Sequence, residues 1–291
     1  MKHAFFILAL ILFAPVDYLL AQGGEGIAQV VYLIGNTTPE KMNEARISTL
    51  QEHMQREESP VTLVHLGDFA NPEEAGIRLR ELEPLLNLLK EHGQARLYVT
   101  PGDMDWNNSG QGGLQMIRTL EDELEARMDS VNLLLPSKGC PGPELVDLSP
   151  HLRLIAINTH WWLHPFDIPE APDAECSNLT REEFVESLEE AIEESVGKNI
   201  LIVGHHPIAS AGEYGGHMSL KNHIFPLATA SQGKRVPLPV YGSFVAAYRQ
   251  NVGTVRDMAS ESYQELIHHL GDILSRHPGL IYASAHEYNL Q

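Results

Sequence analysis

Five short loops, each directly behind an apolar run, constrain this chain more than any other feature. They read Gly35-Asn36, Gly67-Asp68, Gly102-Asp103-Met104-Asp105-Trp106, Gly204-His205-His206-Pro207 and Ala285-His286-Glu287-Tyr288-Asn289. The runs ahead of them are Val30–Ile34, Val61–Leu66, Ala95–Val99, Ile200–Val203 and Leu280–Ala283, with another at Leu152–Ile157. Runs this short, without polar alternation, suit strands covered on both faces. Helical patterns fill the gaps, at Glu40–Gln55, Leu114–Met128 and Glu261–Arg276. Asn71-Pro72-Glu73 has the form of an N-cap followed by proline at the first helical position. Thr180 and Glu183 form a capping box, after which Phe184, Leu188, Ala191 and Ile192 share one helical face. Such alternation predicts a layered α/β domain. Loops at the carboxyl ends of parallel strands meet at one rim, so these distant oxygen and imidazole groups can assemble one site.

The 291 residues suffice for one large domain. With 20 Lys+Arg against 39 Asp+Glu, the net charge of −19 argues against nucleic acid or an anionic membrane surface as the main partner. Much of the acid falls on helix-like stretches, Glu73–Glu91 and Glu182–Glu194, and reads as solvated helix faces. Residues 1–22 resemble a secretory signal: Lys2 and His3 precede an apolar run ending at Pro15, and Ala21 offers a small residue for cleavage. Pro15 and Asp17 interrupt a stretch already short for spanning, so the mature chain is expected to lack an integral membrane segment. The expected location is the periplasm or outer envelope of a bacterium. Export permits a disulfide, and the two cysteines, Cys140 and Cys176, either pair or remain buried thiols. Segments 137–143, 164–176 and 212–239 are rich in loop-forming residues, with short helical pieces in the last, and are placed to shape a pocket.

In order, spacing and chemistry the five loops resemble the calcineurin-like metallophosphoesterases, which include the purple acid phosphatases. The resemblance runs from Val30 to Gln291. It implies a two-sheet β-sandwich flanked by helices over residues 23–291, with the final strands of the second sheet beyond the end of this sequence. It also implies metal-dependent hydrolysis of a small phosphorylated substrate. In such enzymes two metals about 3.5–4 Å apart neutralise the phosphoryl oxygens and supply hydroxide near neutral pH.

Carried across, Asp68 matches the bridging carboxylate, Asp103 stands at the family's Asn, and His205 and His286 match two imidazole ligands. Two carboxylates and two imidazoles suit Mn, Fe or Zn. The other metal position is weakened. Asn36 replaces its leading Asp, Thr38 its accompanying His, and Tyr288 the second closing His. One metal is therefore expected, and the second position is remodelled. Met104 replaces the His that assists leaving-group departure and cannot donate a proton. His206, Tyr214 and His217 are the candidate replacements for general acid help, which is worth about 10²–10⁴-fold. The resemblance extends to longer bacterial envelope proteins through Gly139–Pro143, Asn158-Thr159-His160-Trp161-Trp162 and the Gly-Asp-Met-Asp-Trp loop. A secreted phosphoric ester hydrolase is the leading expectation. Its rival is a weak or inactive binding module of a larger envelope protein, partnered with its own missing carboxyl-terminal region.

Overall fold

The computed structural model describes residues 27–37, 44–70, 79, 82–93, 95–170, 175–227 and 236–287. The signal-like segment, Thr38, the Asn71-Pro72 cap and Tyr288 lie outside the described residues. Strands β1 (Val30–Ile34), β2 (Val61–His65) and β3 (Arg96–Val99) form a parallel sheet in that order. A second sheet holds β4 (Glu144–Ser149), β5 (Leu152–Ala156), β6 (Asn199–Val203) and β7 (Ile281–Ala283). Its β4–β5 pair is antiparallel and its remaining pairs are parallel. The described helices are α1 (Glu44–Arg56), α2 (Glu83–His92), α3 (Gly113–Met128), α4 (Thr159–Leu163), α5 (Arg181–Glu193), α6 (Leu220–Ile224), α7 (Pro239–Asn251) and α8 (Glu261–Arg276).

The runs at β2, β5 and β6 are covered on both sides because each sheet lies between another sheet and a helical layer, whereas on the edge strands β1 and β7 Leu33 and Ile281 are exposed. On β2, Val61 and Leu63 pack with residues of α2 and α3, whereas Val64 turns toward the second sheet. On β5 and β6, Ile155, Ile200 and Ile202 pack with residues of α4, α5 and α8. Their neighbours Leu154, Ala156, Leu201 and Val203 fill the space between the sheets. The result is the two-sheet α/β architecture, with helices outside, that the runs implied. Strand β4 escapes sequence reading because Glu144 and Asp147 break its apolar pattern. Helix α7 escapes because Pro237, Pro239 and Gly242 read as turn punctuation.

The capping box of α5 forms: the Thr180 side chain accepts from the Glu183 N–H, and the Glu183 carboxylate accepts from the Thr180 N–H. Phe184, Leu188, Ala191 and Ile192 are all buried. Cys140 and Cys176 form a disulfide with their Cα atoms 5.4 Å apart, tying the turn before β4 to the segment before α5. The strand ends are stitched together by backbone hydrogen bonds, Asn36 N–H to Gly67 C=O and Ala285 N–H to His205 C=O among them. The His205 Nδ1 contact with the Leu66 carbonyl, 2.7 Å, then joins the loops of the two sheets at one rim.

Leu188→Ala is expected to cost about 2–5 kcal/mol, because it opens a cavity under α5. Thr180→Ala should cost about 1 kcal/mol through the lost cap. Urea midpoints measure both, and equal losses would show that the buried face does not dominate the anchoring of α5.

Candidate metal centre

Two glycines allow the rim to close. A Cβ on Gly67 would stand 2.6 Å from His205 Nδ1, and one on Gly102 would stand 2.6 Å from the Asp68 N and Oδ1 atoms. The loops therefore approach to backbone contact, which side chains would forbid. Three of the predicted ligands sit in left-handed backbone conformations, Asn36 at φ 52°, Asp68 at φ 59° and His286 at φ 63°. Such positions cost of order 1–3 kcal/mol each and cluster at functional sites.

Two imidazoles are oriented by backbone carbonyls. His205 Nδ1 donates to the Leu66 carbonyl at 2.7 Å, and His286 Nε2 donates to the Arg256 carbonyl at 2.9 Å. In the neutral tautomers this leaves lone pairs on His205 Nε2 and His286 Nδ1, the arrangement found where histidine ligates a metal. His205 Nε2 faces Asp68 Oδ2 at 3.6 Å, and His286 Nδ1 faces Asp103 Oδ2 at 3.1 Å. Asn36 Oδ1, Asp68 Oδ2, His205 Nε2 and His286 Nδ1 are all buried without a hydrogen-bond partner. Burial holds the His205 imidazole below its ordinary pKa, so a proton is not the natural bridge to Asp68. Ligand atoms of Asp103, His205, His206 and His286 lie within 4.8 Å of one another, close enough to share one cation. The residues present thus fit a transition metal.

Asp103 is the most heavily bonded carboxylate of the cluster. Its Oδ1 meets His160 Nδ1 at 2.8 Å and His206 Nε2 at 3.0 Å, and its Oδ2 accepts from Arg256 Nε at 2.6 Å. Despite complete burial, Arg256 and the neighbouring histidines hold it well below the usual carboxylate range. The Arg256 guanidinium also donates to the Tyr214 hydroxyl at 3.0 Å and to Asn108 Oδ1 at 3.3 Å. Its own pKa is raised, chiefly by the Asp103 charge acting against burial. Asp105 builds the loop from beneath, accepting N–H groups from Asp68, Phe69, Ala70 and Gly102. Burial and the Asp68 charge push its carboxyl up to about 8 against those donors.

The cluster brings Asp68, Asp103, His205, His206 and His286 together, with Asn36 tied to it by its Nδ2 donating to the Glu287 carbonyl at 2.9 Å. Tyr214 lies against His286, with ring centroids 4.0 Å apart and the planes tilted by 35°. His217 is exposed, and its side chain makes no described contact with the cluster. Sequence reasoning assigned no role to His160, Arg256 or Asp105. The Asn-Thr-His-Trp-Trp run and the second Asp of the Asp103 loop held a signal for two of them; Arg256 sits in no motif.

The calcineurin-like phosphoesterase family model matches residues 34–232, and the chain belongs to that family. The match ends before the loop carrying His286, which the geometry itself adds to the cluster. No curated protein matches the sequence.

Burial lowers the pKa of His65 to about 3 and of His164 to about 4, so neither binds a proton in the fold near neutrality. The unfolded chain protonates both near its ordinary histidine value of about 6.5. Stability is therefore full above that value and is lost as pH falls toward 4. Urea midpoints of metal-free protein should drop between about pH 7.5 and pH 5; a flat profile would contradict the buried neutral state.

Proposed function

We propose that this chain is an exported, metal-dependent hydrolase of phosphoric esters with a remodelled metal centre. The carrying observation is the set of buried, unpartnered acceptor atoms on Asn36, Asp68, His205 and His286. Acceptors facing acceptors in a buried cluster are costly to leave unpaired, and a cation between them removes that cost. Asp68, Asp103, His205 and His286 would hold one transition metal, Mn, Fe or Zn, and Asn36 and Tyr288 would complete a weaker second position. When bound, the metal supplies positive charge for the phosphoryl oxygens and a nucleophile near neutral pH. Asp103 is held in place by His160, His206 and Arg256, so little reorganisation accompanies charge development at the rim. Arg256 places a guanidinium beside the cluster, suited to an anionic phosphoryl group. With Met104 unable to donate, Tyr214 is the proton donor beside the cluster, its hydroxyl polarised by the Arg256 N–H; burial holds the His206 imidazole well below its ordinary pKa, so His206 serves Asp103 as a hydrogen-bond partner and not as the acid. His217 would serve only from the solvent side. The signal-like segment at 1–22 and the Cys140–Cys176 disulfide support export to a bacterial envelope.

A second reading is supported by one contact. Arg256 already lies 2.6 Å from Asp103, and a fixed guanidinium there supplies part of the charge that a metal would bring. On that reading the domain is a catalytically weak binding module of a larger envelope protein.

Purified protein is expected to carry about one transition metal per chain by elemental analysis and to hydrolyse p-nitrophenyl phosphate. Asp68→Ala should remove both, and Arg256→Gln should lower turnover by about 10²–10³. Full hydrolysis by metal-free Asp68→Ala protein would reject the mechanism. Absence of turnover in the natural chain, with a large gain in Asn36→Asp/Tyr288→His, would favour the binding module.

A further inference from the structure

The imidazoles of His205, His206 and His286 are held from behind by different chemistry. Behind His205 and His286 stand the carbonyls of Leu66 and Arg256, which can only accept. Their N–H groups therefore point away from the cluster, and His205 Nε2 and His286 Nδ1 are left inside it without a partner. Behind His206 stands a hydroxyl instead. Thr159 Oγ1 lies 2.8 Å from His206 Nδ1, and a hydroxyl can either give or take a hydrogen there.

The backbone removes that ambiguity. Thr159 Oγ1 already accepts the His206 main-chain N–H at 3.1 Å, and among the described residues it has no partner beyond His206. Its own hydrogen is fully buried and thus belongs on Nδ1. The neutral ring then carries its single N–H on Nε2, where Asp103 Oδ1 accepts it at 3.0 Å. The opposite tautomer would strand the hydroxyl hydrogen and set a lone pair against a carboxylate oxygen. The His206 carbonyl accepts from the Tyr282 hydroxyl at 2.6 Å, so the main-chain and ring polar groups of this residue are all used. No lone pair remains on His206 for a cation, although it belongs to the same 4.8 Å cluster as His205 and His286.

Thr159 is itself fixed. The Asn158 side chain accepts from the Trp161 N–H and caps α4 at its start. A Cβ on Gly204 would stand 3.0 Å from the Thr159 methyl, so the loop behind β6 packs onto that methyl while the hydroxyl faces His206. Consecutive residues of α4 then hold one oxygen from two sides. His160 bonds Asp103 Oδ1 directly at 2.8 Å, and Thr159 acts on it through His206. Asp103 Oδ2 is the oxygen left facing the His286 lone pair.

We propose that Thr159 is a positioning residue that fixes the His206 proton on Nε2, turned onto Asp103, and so withdraws this imidazole from the metal's ligands. The inference rests on the metal-dependent reading above and deepens it. It sorts the clustered histidines into two that ligate and one that braces a carboxylate. Partners behind a metal's ligands are typically worth about 10–100-fold in affinity.

Long-range proton–nitrogen NMR correlation on full-length protein with isotope-labelled histidine reads the tautomers, first metal-free and then with zinc. His206 should be protonated on Nε2 in both states, whereas zinc should move the Nε2 signal of His205 and the Nδ1 signal of His286. Thr159→Val should shift the His206 Nδ1 signal toward that of an unbonded lone pair and weaken zinc binding about tenfold, and Thr159→Ser should restore both. A proton on His206 Nδ1 in the metal-free protein would overturn the proposal, as would zinc taking the place of the proton on Nε2. An unchanged Nδ1 signal in Thr159→Val would overturn it equally, and the natural protein's own spectra decide if that variant does not fold. Zinc bound in the expected pattern without p-nitrophenyl phosphate turnover would uphold the inference and reject the hydrolase reading.

Discussion

Buried acceptors that face one another are the constraint on which the rest of this molecule depends. Leu66 and Arg256 carbonyls take the N–H of two imidazoles, and this fixes the lone pairs of His205 and His286 toward the Asp68 and Asp103 carboxylates. Each of those carbonyls belongs to a different part of the chain, so the ring orientations are set by tertiary packing. Left without a cation, such a cluster would cost several kcal/mol in desolvated lone pairs. The close loop approaches at Gly67 and Gly102, and the left-handed conformations of Asn36, Asp68 and His286, serve that same convergence.

Arg256 makes this centre unlike a simple arrangement of ligands. It pairs with Asp103, touches Tyr214 and offers its carbonyl to His286, so one residue links the carboxylate, the proton donor candidate and an imidazole. Removing one partner of such a buried pair would leave an uncompensated charge, which is far more costly than the pair is stabilising. The neutral Asn36 fits the same balance, since the guanidinium already offsets negative charge at the rim.

The segment between Glu213 and Asp257 faces two ways. Inward, Tyr214 and Arg256 complete the polar cluster, and Arg249 lies over the Tyr214 ring at 4.9 Å. Outward, α7 presents valine, tyrosine and phenylalanine to solvent, held there by the glycine contact with α6. Inner polarity and outer apolarity reverse the usual amphipathic order.

Legible in the chain alone were the six apolar runs, the capping box at Thr180 and Glu183, and the glycine-led loops with their ordered ligands. Each is a local pattern: strand burial, a helix end and a tight turn depend on residues a few positions apart. The cysteine pair was visible, but its closure was not. Strand β4, helix α7 and the roles of His160, Asp105 and Arg256 were decided only by tertiary structure. Polar residues within β4 hide its pairing with β5, and proline and glycine around α7 imitate a loop. Arg256 has no motif because its partners Asp103 and Tyr214 lie in loops distant in sequence. Local spacing chose the side chains that could meet at the rim; the packing of two sheets chose which lone pairs face each other there, because ring orientation is set by backbone carbonyls that only the fold brings near.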